Sequence, residues 1–117
     1  MDHPNVDPSV NKNITEQEKR GGIDLTKLAL GTKIEVRTRA SSYFIEAMGN
    51  DYFTVRGGKN FPTATVVGIN GSTWGGTMLK MGWLGIGMNI EFANNVLTSS
   101  VQSLKVIAPD GSWNYDI

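Results

Sequence analysis

The sequence contains no cysteine and a single histidine, His3, which lies in a polar N-terminal segment. The missing thiol excludes disulfides, cysteine nucleophiles, iron–sulfur clusters and zinc–thiolate sites. A catalytic or metal-binding imidazole needs packed neighbours that fix its orientation, and the segment around His3 offers none. We therefore predict that the chain is not an enzyme that depends on histidine or cysteine, and that it holds no metal and no cofactor.

Net charge and long apolar runs are also missing. Eleven Lys and Arg residues balance eleven Asp and Glu residues, whereas nucleic-acid-binding domains usually carry an excess of positive charge. No stretch approaches the ~18 apolar residues that cross a bilayer, and the N-terminus lacks the apolar core of a signal peptide. We expect a cytoplasmic protein with no membrane partner, and the balanced charge disfavours nucleic acid.

The two ends of the chain differ from its middle. Residues 1–22 are polar, contain Pro4 and Pro8 and end in two glycines, so we predict a disordered N-terminal tail; the alternative is an arm that orders on a partner. Residues 23–108 form the single domain expected for a chain of 117 residues. Residues 109–117 are predicted to be a C-terminal tail.

Alternation of apolar and polar residues predicts β-strands in the domain. In residues 32–39, Ile34 and Val36 oppose charged side chains, which is typical of a strand with one buried face. The dipeptide Asn70-Gly71 predicts a tight hairpin turn from which residues 72–79 return, because both residues tolerate positive φ angles. The apolar positions of a second alternation are Ile86, Met88, Ile90 and Phe92.

Short strands at regular spacing, with no helical stretch between them, predict an all-β domain. We expect six to eight strands arranged as a small antiparallel β-barrel or a compact sandwich. An SH3-like or other open barrel fits this pattern better than an OB-fold, which usually carries a helix in mid-sequence.

The most unusual segment is residues 68–88, which hold seven glycines, two tryptophans and three methionines beside one charged residue, Lys80. Its apolar residues exceed what one face of one strand buries, and the surplus would form an exposed patch typical of protein–protein contacts. The alternative is that the glycines are bulges and the tryptophans core residues. Our leading hypothesis is a non-enzymatic domain that binds a protein partner or itself through this hairpin. The residues assigned to that surface are Trp74, Met78, Leu79, Met81, Trp83 and Leu84.

Two other functions stay open. Basic residues beside exposed rings are how small barrels hold a single nucleic-acid strand, although interleaved acidic residues favour a merely charge-decorated sheet. The candidate residues are Lys33, Arg37, Arg39, Arg56, Tyr43 and Tyr52. The third and least favoured hypothesis is a hydrolase that uses a pair of carboxylates. Its candidates are Glu35, Glu46, Asp51 and Glu91.

Overall fold

The computed structural model describes residues 21–117, which form ten β-strands and one short 3₁₀ helix, Leu25–Lys27. Residues 1–20, and with them His3 and most of the predicted N-terminal tail, lie outside the described residues. The strands are β1 (Gly22–Asp24), β2 (Lys33–Thr38), β3 (Ser42–Gly49), β4 (Tyr52–Gly57), β5 (Phe61–Thr73), β6 (Leu79–Met81), β7 (Trp83–Gly85), β8 (Asn89–Phe92), β9 (Leu97–Ile107) and β10 (Asn114–Asp116).

Antiparallel pairing joins six of these strands into a partly closed ring. Strands β2, β3, β4 and β5 follow one another across the large sheet, β5 continues past β4 to pair with β8, and β9 pairs with both β8 and β2. Strands β6 and β10 lie at the two edges of this sheet, and β1 with β7 forms a second, small sheet. The all-β prediction is confirmed, with ten strands rather than six to eight.

Alternate residues fill the inside of the ring. In β2, Ile34 and Val36 are buried while the charged residues between them are exposed, as the alternation predicts. Aromatic rings from three strands meet in the middle of the core: the ring centroids of Phe61 and Phe92 are 4.8 Å apart, and Tyr43 lies 6.4 Å from Phe61. Edge-to-face packing of this kind adds to the stabilisation that apolar burial provides.

The prediction of a hairpin turn at Asn70-Gly71 is wrong. Both residues lie inside β5, where Gly71 pairs with Met81 of β6 on one side and with Glu91 of β8 on the other. The register with β8 shifts next to Gly71, and its φ is +150°, as in a β-bulge. A Cβ atom here would overlap the carbonyl oxygen of Lys80. Glycine therefore serves the close approach of two strands rather than a reversal of the chain.

Two neighbouring expectations also need correction. Residues 72–79 do not form one returning strand, because β5 runs to Thr73 and only Leu79–Met81 returns beside it. The second alternation is strand only in its second half, since β7 ends at Gly85 and β8 begins at Asn89. Met88, in the connection between them, is nevertheless buried.

The predicted C-terminal tail belongs to the fold. Strand β10 pairs with β9, with Tyr115 opposite Val106, and Tyr115 is buried in the core. The ring of Trp113 stacks on that of Tyr115 at a centroid distance of 5.7 Å. Residues 109–112, read from the sequence as the end of the domain, reverse the chain into this strand, and the Asp110 carboxylate accepts a hydrogen bond from the Ser112 amide within the turn.

Candidate protein-binding surface

Exposed apolar side chains gather on and beside the β5–β6 hairpin. Met78 and Met81 are 74% and 80% exposed, and Trp74 is 58% exposed. One member, Leu97 at the start of β9, is not among the residues predicted from the sequence. It lies next to Gly76 of the hairpin, where an added Cβ would be 3.7 Å from the Leu97 Cδ2 atom. We call this set the hairpin surface; its members are Trp74, Met78, Leu79, Met81 and Leu97.

The loop that carries Trp74 and Met78 is held by hydrogen bonds to the barrel. Gly75 and Gly76 both have positive φ angles, which glycine adopts without steric cost. The Gly76 amide donates to the Thr73 hydroxyl at 2.9 Å, and the Gly75 amide donates to the Asn89 side chain at 3.1 Å. The reversal therefore has a defined geometry that presents Trp74 to solvent.

Strand β6 is an edge strand with an apolar exposed side. Among the described strands it pairs with β5 alone, so its second edge is open, and all three of its residues are exposed. The pleat directs Leu79 and Met81 to one face and Lys80 to the other. An open edge with apolar side chains offers unpaired backbone groups to another strand.

An open groove of about 450 Å³ lies behind the hairpin. The buried ring of Trp83 and the side chain of Met88 form its base. The Nζ atom of Lys80 lies 4.0 Å from the centroid of the Trp83 ring, within the range of a cation–π interaction. The residues that line the groove are Trp74, Met78, Leu79, Lys80, Trp83 and Met88.

Trp83 and Leu84, which were predicted to belong to the surface, lie in the interior. Trp83 is 6% exposed and Leu84 is fully buried. The indole ring packs against the glycine pair Gly22 and Gly85 of the small sheet, where a Cβ at Gly22 would lie 2.6 Å from a ring carbon. The sequence pattern missed this because the covering strand, β1, comes from a segment about sixty residues away.

The basic outer face of the large sheet is present, but only one of its two predicted aromatic residues, Tyr52, is exposed. Tyr43 is buried against Phe61 and Phe92, so it offers no ring to a base; the pleat directs Phe44 outward in its place. The guanidinium of Arg56 lies 4.9 Å from the centroid of the Phe44 ring. The predicted residues that are exposed are Lys33, Arg37, Arg39, Tyr52 and Arg56.

Some of the charges on this outer face are paired with opposite charges on a neighbouring strand, whereas Arg37 is opposite Ser42 and Ser103. Lys33 of β2 is opposite Glu46 of β3. Opposite charges on neighbouring strands attract one another, which reduces the positive potential that a phosphate backbone would meet. A second row crosses five strands and contains the uncharged Phe44 between Arg56 and Glu35; its members are Arg56, Phe44, Glu35, Lys105 and Asp116.

The four candidate carboxylates do not share one cleft. Glu35 and Glu46 are diagonal neighbours on the outer face and line one shallow depression of about 220 Å³. Asp51 lies in the β3–β4 turn, and the carboxylate of Glu91 in β8 accepts a 2.9 Å hydrogen bond from the side-chain Nδ2 of Asn70. Within residues 21–117, no three His, Cys, Asp or Glu side chains are grouped as metal ligands.

No helix of this described part is long and apolar enough to cross a membrane. Comparison with known proteins gives no relative: no protein-family model, curated protein or solved structure matches the chain. Function must therefore be inferred from the chemistry of these surfaces.

Proposed function

We propose that this chain is a non-enzymatic cytoplasmic domain that associates with a second copy of itself through the hairpin surface; a different protein is the alternative occupant. The observation that carries the proposal is the exposure of Trp74, Met78 and Met81 on a loop and strand whose geometry is fixed. Trp and Met are enriched at protein interfaces, and contiguous apolar patches are uncommon on soluble monomers.

The open edge of β6 supports a specific mode of association. Antiparallel pairing of β6 with the same strand of a second copy, centred on Lys80, would set Leu79 of each chain opposite Met81 of the other. Such a pairing adds main-chain hydrogen bonds and two apolar cross-strand contacts. Trp74 lines the groove together with Leu79 of β6 and would extend the contact, whereas Leu97 lies on the far side of β5 and β8 from this edge.

Light scattering over a range of protein concentrations tests the proposal. We expect a dimer that Met78→Asp and Met81→Asp both disperse, with circular dichroism unchanged because both side chains are exposed. Thr63→Asp, at an exposed position of β5 outside the hairpin, is the matched control and should leave the dimer intact. A chain that is monomeric at every concentration would contradict self-association.

Single-stranded nucleic acid on the outer face is the second candidate. One observation favours it: the Phe44 ring is exposed and carries the Arg56 guanidinium on its face, an arrangement suited to base stacking. The candidate predicts oligonucleotide binding at low salt, measured by fluorescence anisotropy, that Phe44→Ala removes. Flat anisotropy at low salt would eliminate it.

A further inference from the structure

The chain enters the domain beside the groove of the hairpin surface. Strand β1 runs antiparallel to β7, and its pairing continues outward to Gly21, whose carbonyl oxygen accepts a 2.6 Å hydrogen bond from the Ile86 amide. The next residue after Ile86 is Gly87, and a Cβ there would lie 3.6 Å from the ring of Trp74. The described part of the chain therefore begins at Gly21, whose partner Ile86 is the neighbour of the residue that contacts the Trp74 ring.

We propose that residues 1–20 dock in cis onto the groove and cover Trp74 and Met78. Their length is sufficient: Ile14 is seven residues from Gly21, a separation that spans up to about 25 Å when extended. Because the segment is tethered beside the groove, its effective concentration there is on the order of millimolar. This proximity favours the chain's own domain over that of a second copy.

The chemistry of the segment matches that of the groove. Three aliphatic residues, Val6, Val10 and Ile14, recur at intervals of four in an otherwise polar sequence, and the groove offers them the apolar side chains of Trp74, Met78 and Met88. Lys80 is the one charged residue that lines the groove, and Glu16 and Glu18 of the segment are balanced by Lys19 and Arg20, so the match is one of apolar side chains rather than of charge.

Docked in this way, the segment competes with the second copy for the hairpin surface, a consequence that rests on the proposed self-association. It would hold part of the population as monomers at concentrations where the bare surface would pair. The first twenty residues thereby act as a built-in competitor that raises the concentration needed for association.

The absence of cysteine from the chain permits a direct test in the full-length protein. A variant with Ile14→Cys and Met78→Cys is oxidised at low protein concentration, and the product is resolved on a non-reducing gel. We expect an intramolecular disulfide that forms at least about tenfold faster than in a control that carries the same two cysteines together with Val6→Asp and Val10→Asp, because the control keeps the tether but loses the apolar residues that dock. Equal rates, or a disulfide-linked dimer as the main product, would overturn docking in cis.

A second measurement uses the single variant Met78→Cys and its rate of labelling by a maleimide. Adding Val10→Asp and Ile14→Asp should raise that rate several-fold, and an unchanged rate would overturn the docking.

The docking of residues 1–20 and the self-association of the domain can be disproved separately. If the two disulfide rates are equal and Met81→Asp still disperses the dimer, the docking hypothesis is wrong and the self-association hypothesis stands. A fast intramolecular disulfide, in a protein that stays monomeric even when Val10→Asp and Ile14→Asp remove the docking, would exclude self-association and keep the docking.

Discussion

The hydroxyl group of Ser72 donates a 2.6 Å hydrogen bond to the carbonyl oxygen of Trp83 and accepts one of 3.2 Å from the amide of Gly85. Ser72 is fully buried, so two backbone groups of β7 find their partner in a side chain of β5. This link holds the small sheet against the ring of strands. It also fixes the Trp83 ring as the base of the groove.

Replacing this hydroxyl should weaken the fold. Ser72→Ala leaves a buried carbonyl and a buried amide without their side-chain partner, and each such loss costs about 1–3 kcal/mol. We expect the free energy of unfolding in urea to fall by at least that amount. Ser103→Ala, at an exposed site, should change it by about 0.5 kcal/mol or less. Similar losses in both variants would show that the Ser72 link contributes little.

Gly71 and Gly75 both have φ angles that other residues rarely adopt, but only Gly71 is crowded by a neighbouring strand. Gly75→Ala should cost roughly 1–2 kcal/mol for the left-handed backbone alone. Gly71→Ala adds the overlap with the Lys80 carbonyl, and we expect a loss of roughly 2–5 kcal/mol. Urea unfolding measures both. A Gly71→Ala loss no larger than that of Gly75→Ala would contradict the close approach of β5 and β6.

The two tryptophans of the hairpin region should respond in opposite ways. Trp83→Ala removes a buried ring and should cost about 3–5 kcal/mol of stability. Trp74→Ser removes a ring that is largely in solvent and should cost about 1 kcal/mol or less, while it weakens self-association. Thermal unfolding and light scattering of the same two variants separate stability from association. A strongly destabilised Trp74→Ser variant would mean that Trp74 is part of the core.

Periodicity predicted much of the fold because it reports which face of a strand is buried. It succeeded for β2, which pairs with β3 and β9 at its edges and has one face buried and the other exposed to solvent. It failed at Asn70-Gly71, where local turn chemistry and a bulge between three strands need the same residue types. It also failed at Tyr115, because nothing in a three-residue strand reveals that β9 has a free edge to receive it.

The candidate surface was predictable in composition and only partly in membership. An excess of apolar residues in a glycine-rich hairpin indicated exposure, and Met78 and Met81 are exposed. Trp83 is buried because strand β1 covers it, a long-range contact that the hairpin sequence does not encode. The pleat of β3 decided between Tyr43 and Phe44, and the sequence alone did not say which ring faces outward.

Lys80 gives the sharpest test of the β6 pairing. In the proposed dimer it faces the same lysine of the second copy, and like charges directly opposite are unfavourable by roughly 0.2–1 kcal/mol. Lys80→Thr should therefore lower the dissociation constant of the dimer by up to about fivefold, as measured by analytical ultracentrifugation. The same substitution removes the contact with the Trp83 ring, so the stability of the monomer should fall by about 0.5–1 kcal/mol.

Added salt should tighten the unmodified dimer in the same way, because it screens the repulsion between the two lysines, and it should have little further effect on the variant. Lys59→Thr, which removes a charge from the exposed β4–β5 turn, should leave the dissociation constant and its salt dependence unchanged. If Lys80→Thr weakens the dimer, β6 does not pair about this residue.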